Sequence, residues 1–111
     1  MSAPDERRSH RRKTLACPVR MFDRGGRPLT NGRTIDLSDG GLFISTSLTA
    51  MKTLPRRVNV TVSLPRSTPN TYMLEEVAAG AVVVRQQPMV DEGAAGVALQ
   101  FERPVELGLK G

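Results

Sequence analysis

The sequence predicts an all-β protein whose strands close into a six-stranded antiparallel barrel. In most segments between turn-forming residues, apolar and polar positions alternate with the period of a half-buried strand. No segment has convincing amphipathic-helix spacing, and residues 105–109 suffice for one helical turn at most. With 111 residues and 39% hydrophobic residues, the chain suits one domain with one core. A six-stranded sheet with an apolar face loses its exposed edges when it closes on itself.

The first strand is predicted over residues 15–21, because its odd-numbered residues are apolar. Pro18 lacks an N–H, so we expect this strand to lie at an edge or a bulge there. Residues 23–28, DRGGRP, have the composition of a turn. A second strand is predicted to follow over residues 31–36.

The next two strands are separated from their neighbours by turn-forming residues. Residues 39–41, DGG, predict a tight reversal with two glycines that can adopt a positive φ. The third strand is predicted over residues 42–46. The clearest alternation in the chain predicts a fourth strand over residues 58–64, and residues 65–70, PRSTPN, predict a loop after it.

The last two strands are predicted over residues 72–86 and 97–101. Gly80 lies inside the first of them and predicts a bend or bulge there. Pro104 ends the second. The chain therefore divides into a flexible basic arm over residues 1–11, a barrel domain over 12–104 and a C-terminal tail over 105–111.

The positive charge is concentrated near the N-terminus. The net charge is +5, from 16 basic and 11 acidic residues. Residues 1–13 hold five basic and two acidic residues, a local charge of +3, which leaves +2 on the remaining 98 residues. This distribution favours a local anion-binding site over a uniformly basic nucleic-acid surface.

Several classes of protein are disfavoured by composition. No apolar run approaches about 18 residues, the length of a membrane span, and the N-terminus lacks the apolar core of a secretory signal. We therefore expect a cytoplasmic protein without a membrane partner. The single cysteine, Cys17, excludes an internal disulfide and a cysteine-based zinc cluster. Its place among alternating apolar residues predicts a small buried group.

Two motifs stand in register with this strand pattern. Residues 8–12, RSHRR, place Arg8 and Arg12 four positions apart just before the first strand, and residues 36–41, DLSDGG, close the second. The sequence resembles the PilZ domain family, which has an RxxxR motif before its first strand and a (D/N)xSxxG motif between its second and third. The resemblance covers roughly residues 6–102 and includes GVALQF at 96–101.

The resemblance implies binding of cyclic di-GMP. The ligand-binding residues that it implies are Arg7, Arg8, Arg11, Arg12, Asp36, Ser38, Gly40 and Gly41. The planar fork of arginine donates two hydrogen bonds to guanine O6 and N7 and also pairs with phosphate. A carboxylate such as Asp36 accepts from guanine N1–H and N2–H₂, Ser38 offers a hydroxyl, and Gly41 lets the backbone approach the ligand.

The doubled arginine suggests a stoichiometry. Arg7 directly precedes Arg8, and in the family an arginine just before the motif tends to accompany an intercalated ligand dimer. We therefore expect two cyclic di-GMP molecules per chain. No metal, further cofactor or catalytic residue is expected, because one histidine, one cysteine and no acid–base constellation argue against an enzyme.

Other interpretations remain open. Taken alone, the basic arm is typical of a solvated tail. The second motif alone is typical of a hairpin turn in which Asp36 and Ser38 bond the backbone. A motif-bearing adaptor would act mainly through protein contacts. A small basic barrel that binds single-stranded nucleic acid would present aromatic stacking platforms, whereas this chain has three Phe and one Tyr.

A receptor of this size is expected to present a changed surface to an unidentified downstream protein.

Three arginines of the barrel have less specific predictions. Arg56 and Arg57 are expected on a solvated rim, and Arg85 in a surface salt bridge, with base stacking as its alternative.

Overall fold

The computed structural model describes residues 12–13, 15–67, 70, 72–89 and 93–107. Within these ranges, seven strands and one short helix follow one another along the chain. They are β1 (Arg12–Lys13), β2 (Pro18–Phe22), β3 (Pro28–Ser38), β4 (Gly41–Ser47), α1 (Leu48–Met51), β5 (Arg57–Ser67), β6 (Tyr72–Pro88) and β7 (Ala94–Phe101). In the described ranges, no helix is long and apolar enough to cross a membrane.

Six of the strands form a closed ring. The order is β3–β2–β5–β6–β7–β4, and β4 pairs back with β3. All of these pairings are antiparallel. The two residues of β1 add to β3 beyond the end of β2. The predicted six-stranded antiparallel barrel is therefore confirmed.

The core consists mainly of every second residue along the strands, which faces inward as the period-two pattern predicts. Its buried members are Cys17, Val19, Met21, Leu37, Leu42, Ile44, Val58, Val60, Val62, Leu64, Ala81, Val97, Leu99, Phe101 and Leu107. Cys17 is fully buried as expected, and burial raises the pKa of its thiol.

The first long strand begins three residues later than predicted. The Cys17 N–H donates to Thr34 Oγ1 at 2.7 Å, and the Thr34 N–H donates to the Cys17 carbonyl at 2.9 Å. This side-chain bond interrupts the pairing with β3 at the point between β1 and β2. Pro18 is the first residue of β2, a position at which its missing N–H costs no ladder bond.

The predicted loop over residues 65–70 is shorter than expected. β5 continues through Ser67, which pairs with Tyr72, and Pro65 pairs with Leu74. On its other side β5 pairs with β2 only over Asn59–Val62. Pro65 therefore lies on an edge, where a strand tolerates a residue without an N–H.

The bulge predicted at Gly80 lies elsewhere. Gly80 stays in register opposite Asn59, whereas the β6–β7 register shifts between Val83 and Arg85. A Cβ at Gly80 would collide with the Glu102 carboxylate. Gly80 therefore lies under the mobile ends of the Glu102 and Arg24 side chains rather than at a bulge, and Val84 is the bulge residue.

The glycines after Asp39 also have a different role from the predicted one. Among the described residues, positive φ occurs at Gly26 and Gly93, and not at Gly40 or Gly41. A Cβ at Gly41 would collide with the carbonyl oxygen of Leu99 on β7. Gly41 is therefore needed because a neighbouring strand passes close to it.

The barrel's packing continues beyond residue 104. Leu107 is fully buried and Val105 packs against the core, although both lie in the predicted tail. Val105 N–H donates to the Asp39 carbonyl at 2.8 Å and Leu107 N–H to Asp39 Oδ1 at 3.0 Å. Residues 105–107 form no helical turn. They belong to the barrel because two apolar side chains and two hydrogen bonds from their backbone N–H groups hold them there.

Candidate ligand-binding site

The backbone of β1 brings the two sequence motifs together. Arg12, the last arginine of RxxxR, pairs with Ser38 of DxSxxG, and Lys13 pairs with Leu37. Paired Cα atoms in antiparallel strands lie about 4.5–5.5 Å apart. Arg12 therefore lies beside residues 36–41, which we call the motif turn.

A bulge in β3 sets the orientation of the motif turn. The β3–β4 register shifts between Thr34 and Asp36, so that Thr34 pairs with Ile44 and Asp36 with Phe43. Leu37 is fully buried, while its neighbours Asp36 and Ser38 are half-exposed. Bulges commonly re-aim a side chain in this way. The carboxylate and the hydroxyl thus share the outer face of the barrel.

The Ser38 hydroxyl has a role within the turn. Its Oγ accepts a hydrogen bond from the Gly40 N–H at 3.2 Å, which confirms for Ser38 the turn-forming interpretation. The hydroxyl proton is not used by that bond, because the oxygen acts as the acceptor. Ser38 can therefore stabilise the turn and still donate to a phosphate.

Asp39 is a residue whose role the sequence did not reveal. Its carbonyl and its carboxylate hold Val105 and Leu107, and the neighbouring Gly40 carbonyl accepts from the Phe101 N–H at 2.9 Å. The guanidinium of Arg66 donates to the Leu107 carbonyl from the other side. The motif turn is consequently tied to the chain segment that follows β7. An Asp before two glycines indicated only a turn.

The outer face continues across the sheet from the motif turn. Asp36 pairs with Phe43, Phe43 with Ala98, and Ala98 with Arg85. The Arg85 guanidinium lies 5.7 Å from the centroid of the Phe43 ring. A cation–π contact therefore holds Arg85, where a salt bridge was expected.

The tip of the Phe43 ring lies over a position without a side chain. A Cβ at Gly96 would lie 2.6 Å from Phe43 Cζ. The absence of a side chain at Gly96 therefore leaves the space that the Phe43 ring occupies next to Asp36 in the sheet.

The described part of the chain thus places five of the eight expected ligand residues together: Arg12, Asp36, Ser38, Gly40 and Gly41. Arg7, Arg8 and Arg11 lie outside the described residues, as does the rest of the predicted arm over residues 1–11. Among the described residues, no group of three or more His, Cys, Asp or Glu side chains could hold a metal ion.

Three solved structures are similar to this fold. The Bacillus subtilis inhibitor of motility (MotI/DgrA) matches with a TM-score of 0.68 and 14% identity, over 89% of this chain and 44% of that one. The PilZ domain of YcgR from Escherichia coli, solved with c-di-GMP, matches with a TM-score of 0.55 and 14% identity, over 87% and 79% of the two chains.

The PilZ domain of CeSA from a cellulose-synthesizing bacterium matches with a TM-score of 0.51 and 22% identity, over 84% of this chain and 81% of that one. At these identities the likeness shows a shared fold. This chain spans less than half the length of the motility inhibitor.

Comparison by sequence gives a more specific result. No curated protein matches the chain. The family model of the PilZ domain matches residues 6–110, which is nearly the whole sequence. That match covers both motifs and all seven strands. The chain therefore belongs to the PilZ domain family.

Proposed function

We propose that the protein is a receptor for cyclic di-GMP, which binds between the arginine motif and the motif turn. The observation that carries this proposal is the pairing of Arg12 with Ser38, because it sets the end of RxxxR beside DxSxxG. Family membership supports the same ligand, and the YcgR domain of the same fold was solved with c-di-GMP.

Each residue of the site matches a part of this ligand. Arginines of the RxxxR motif donate to guanine O6 and N7 and to phosphate oxygens. The Asp36 carboxylate, on the outer face, accepts from the guanine N1–H and N2–H₂ pair. Ser38 donates its hydroxyl proton, and Gly40 carries no side chain that would obstruct the ligand. Gly41 keeps the motif turn close to β7, since the Leu99 carbonyl occupies the place of its side chain.

Two ligand molecules bind per chain in this proposal. An intercalated pair of cyclic di-GMP molecules brings four phosphates and four bases into one site. A single pair of arginines leaves much of that charge unmet, so Arg7 and Arg11 contact the second molecule. No metal or catalytic residue takes part.

The output of the receptor is a changed surface for a downstream protein. The hydrogen bonds of Asp39 to Val105 and Leu107 support this step. A ligand that moves the motif turn would move residues 105–107 with it. One protein of similar fold, from Bacillus subtilis, is named an inhibitor of motility.

Isothermal titration with cyclic di-GMP, GTP, GMP and cyclic AMP tests the proposal. We expect saturable heat with cyclic di-GMP and at least about tenfold weaker binding of the others, since they lack the second guanine and the cyclic phosphate pair. Absence of saturable binding of cyclic di-GMP at low salt would contradict it. A parallel titration with a single-stranded oligonucleotide tests the alternative function, which would show a steep salt dependence.

A further inference from the structure

A groove of about 440 Å³ lies on the outer surface across the start of β5, the middle of β6 and the end of β7. The side chains that matter in it are Arg56, Arg57, Val82, Val84, Gln100 and Glu102. Register explains its position, because Gly41 pairs with Gln100, Gln100 with Val82, and Val82 with Arg57. The groove therefore lies on the same outward row as the motif turn, two strands further around the barrel.

The floor of the groove is aliphatic. The bulge between Val83 and Arg85 adds Val84 to the strand, and its side chain is 55% exposed. Val82 lies beside it and is half-buried. Phe101 contributes to the lining but is only 5% exposed, so its ring offers no open face. An aliphatic side chain fits this floor better than a nucleobase, which binds by stacking on exposed aromatic rings.

The rim of the groove is positively charged. Arg57 lies 3.5 Å from Glu102 and Arg24 lies 2.5 Å from the same carboxylate oxygen. Arg24 is held further by Asn59 Oδ1 at 3.1 Å. Arg56 is exposed and adds a third cation. The Glu102 carboxylate thus pairs with two guanidinium groups, and with Arg56 the rim keeps a net positive charge.

Arg57 is the cation best placed to change partners. Its side chain is 65% exposed and its distance to Glu102 is the longer of the two. Ion pairs this exposed contribute little to stability, so they are readily exchanged. An incoming carboxylate can therefore pair with Arg57 and Arg56 while Arg24 keeps Glu102 in place. The groove therefore offers two cations, Arg56 and Arg57, to an anionic ligand.

We infer that this groove docks an acidic segment of a partner protein, with an aliphatic side chain on Val82 and Val84 and carboxylates on Arg56 and Arg57. Charge complementarity and the aliphatic floor carry this choice of occupant. None of the lining residues belongs to the two motifs, so the inference does not rest on the proposed binding of cyclic di-GMP.

A short capped, fluorescein-labelled peptide with the sequence Glu-Glu-Leu-Glu-Glu serves as the probe. Fluorescence anisotropy measures its affinity for the nucleotide-free protein at low salt. Its basic counterpart, Lys-Lys-Leu-Lys-Lys, controls for the leucine, and a single-stranded oligonucleotide controls for charge alone. NMR shifts of the Val82 and Val84 methyl groups and of the Gln100 side-chain amide locate the bound peptide.

The variant Arg56→Glu/Arg57→Glu should weaken binding of the acidic peptide by roughly tenfold or more. The variant Arg27→Glu/Lys52→Glu changes the net charge equally at exposed positions outside the groove, and should leave the affinity within about twofold. Circular dichroism establishes that both variants fold.

Shifts confined to the groove, together with loss of binding in the first variant alone, support the inference. Equal loss in both variants would show that only net charge matters and would overturn it. Peptide-induced shifts outside the groove, or tighter binding of the oligonucleotide to the groove, would overturn it as well. Because no nucleotide is present, these results do not depend on whether the protein binds cyclic di-GMP.

Discussion

Two turns of this barrel begin with an aspartate and contain two glycines, yet they use their polar groups in different ways. In residues 23–27, which we call the Asp23 turn, Asp23 Oδ1 accepts from the N–H groups of Gly25 and Arg27, both at 2.9 Å. The Asp23 N–H donates to the Arg27 carbonyl at 2.9 Å. The bonds of the backbone and of the Asp23 carboxylate all stay within the turn, and only the side chain of Arg24 reaches distant residues, Asn59 and Glu102.

The motif turn directs its bonds outward. Asp39 accepts from two residues that follow β7, Gly40 accepts from Phe101 at the end of β7, and β1 pairs Arg12 with Ser38. A turn that merely closes a hairpin satisfies its polar groups locally. The contrast indicates that the motif turn connects three distant parts of the chain. Substitutions in the two turns should therefore have different consequences.

Alanine substitution of one glycine in each turn gives the largest expected difference. Gly41→Ala should lower the free energy of unfolding by about 3 kcal/mol, because the added Cβ meets the Leu99 carbonyl. Gly26→Ala should cost about 1 kcal/mol, since φ is +90° but no atom lies within 4 Å of the added Cβ. Urea unfolding measures both. A larger cost at Gly26 would contradict this account.

Removal of one arginine beside each turn separates ligand binding from stability. Arg12→Ala should weaken cyclic di-GMP binding by about 1.5–3 kcal/mol through loss of a charge-assisted contact. Arg27→Ala, in the Asp23 turn, should leave the affinity unchanged. Titration calorimetry gives the affinities and thermal unfolding the stabilities. If Arg12→Ala lowered the Tm sharply and kept its affinity, Arg12 would be structural.

Replacement of an aspartate in each turn tests the link to the C-terminal segment. Asp39→Ala should cost about 1–2 kcal/mol, because it leaves the Leu107 N–H without its acceptor. Asp23→Ala should cost about 1 kcal/mol. Hydrogen exchange of the Leu107 amide distinguishes them, with faster exchange expected only in Asp39→Ala. Equal exchange in both variants would show that Asp39 does not hold this segment.

The prediction about stoichiometry concerns substitutions that should not change the free energy of unfolding. Two equivalents of cyclic di-GMP should bind at protein concentrations well above Kd, and one equivalent should bind to Arg7→Leu. The matched control is Arg27→Leu, which removes the same charge from the Asp23 turn and should retain two. An end point near one equivalent for the unaltered protein would refute the prediction.

The sequence predicted those features that depend on local periodicity. All six long strands were expected, because each alternates apolar and polar residues around one core. The strand order, which the sequence did not predict, brings residues 12–13 along β3 and so sets Arg12 beside Ser38. The end of β5 was missed because an edge tolerates Pro65, and pairing with β6 continues past it to Ser67.

Features that depend on contacts between distant residues were not predictable. Gly41 and Gly80 indicated backbone freedom, whereas each instead accommodates an atom from β7 or the segment after it. Leu107 looked like part of a tail because only its burial against the barrel shows otherwise. Arg56 and Arg57 were expected on a solvated rim, and the Val84 bulge that makes a groove beside them has no local signal.

The most direct test of the central claim compares cyclic di-GMP binding to Asp36→Asn and Asp23→Asn by titration calorimetry. Each substitution keeps the size of the side chain and removes one negative charge. The account predicts that Asp36→Asn loses roughly tenfold or more in affinity, since an amide replaces one acceptor for guanine N1–H and N2–H₂ with a donor. Asp23→Asn should bind like the unaltered protein. Equal affinity of the two variants, both folded, would contradict the assignment of the motif turn as the ligand site.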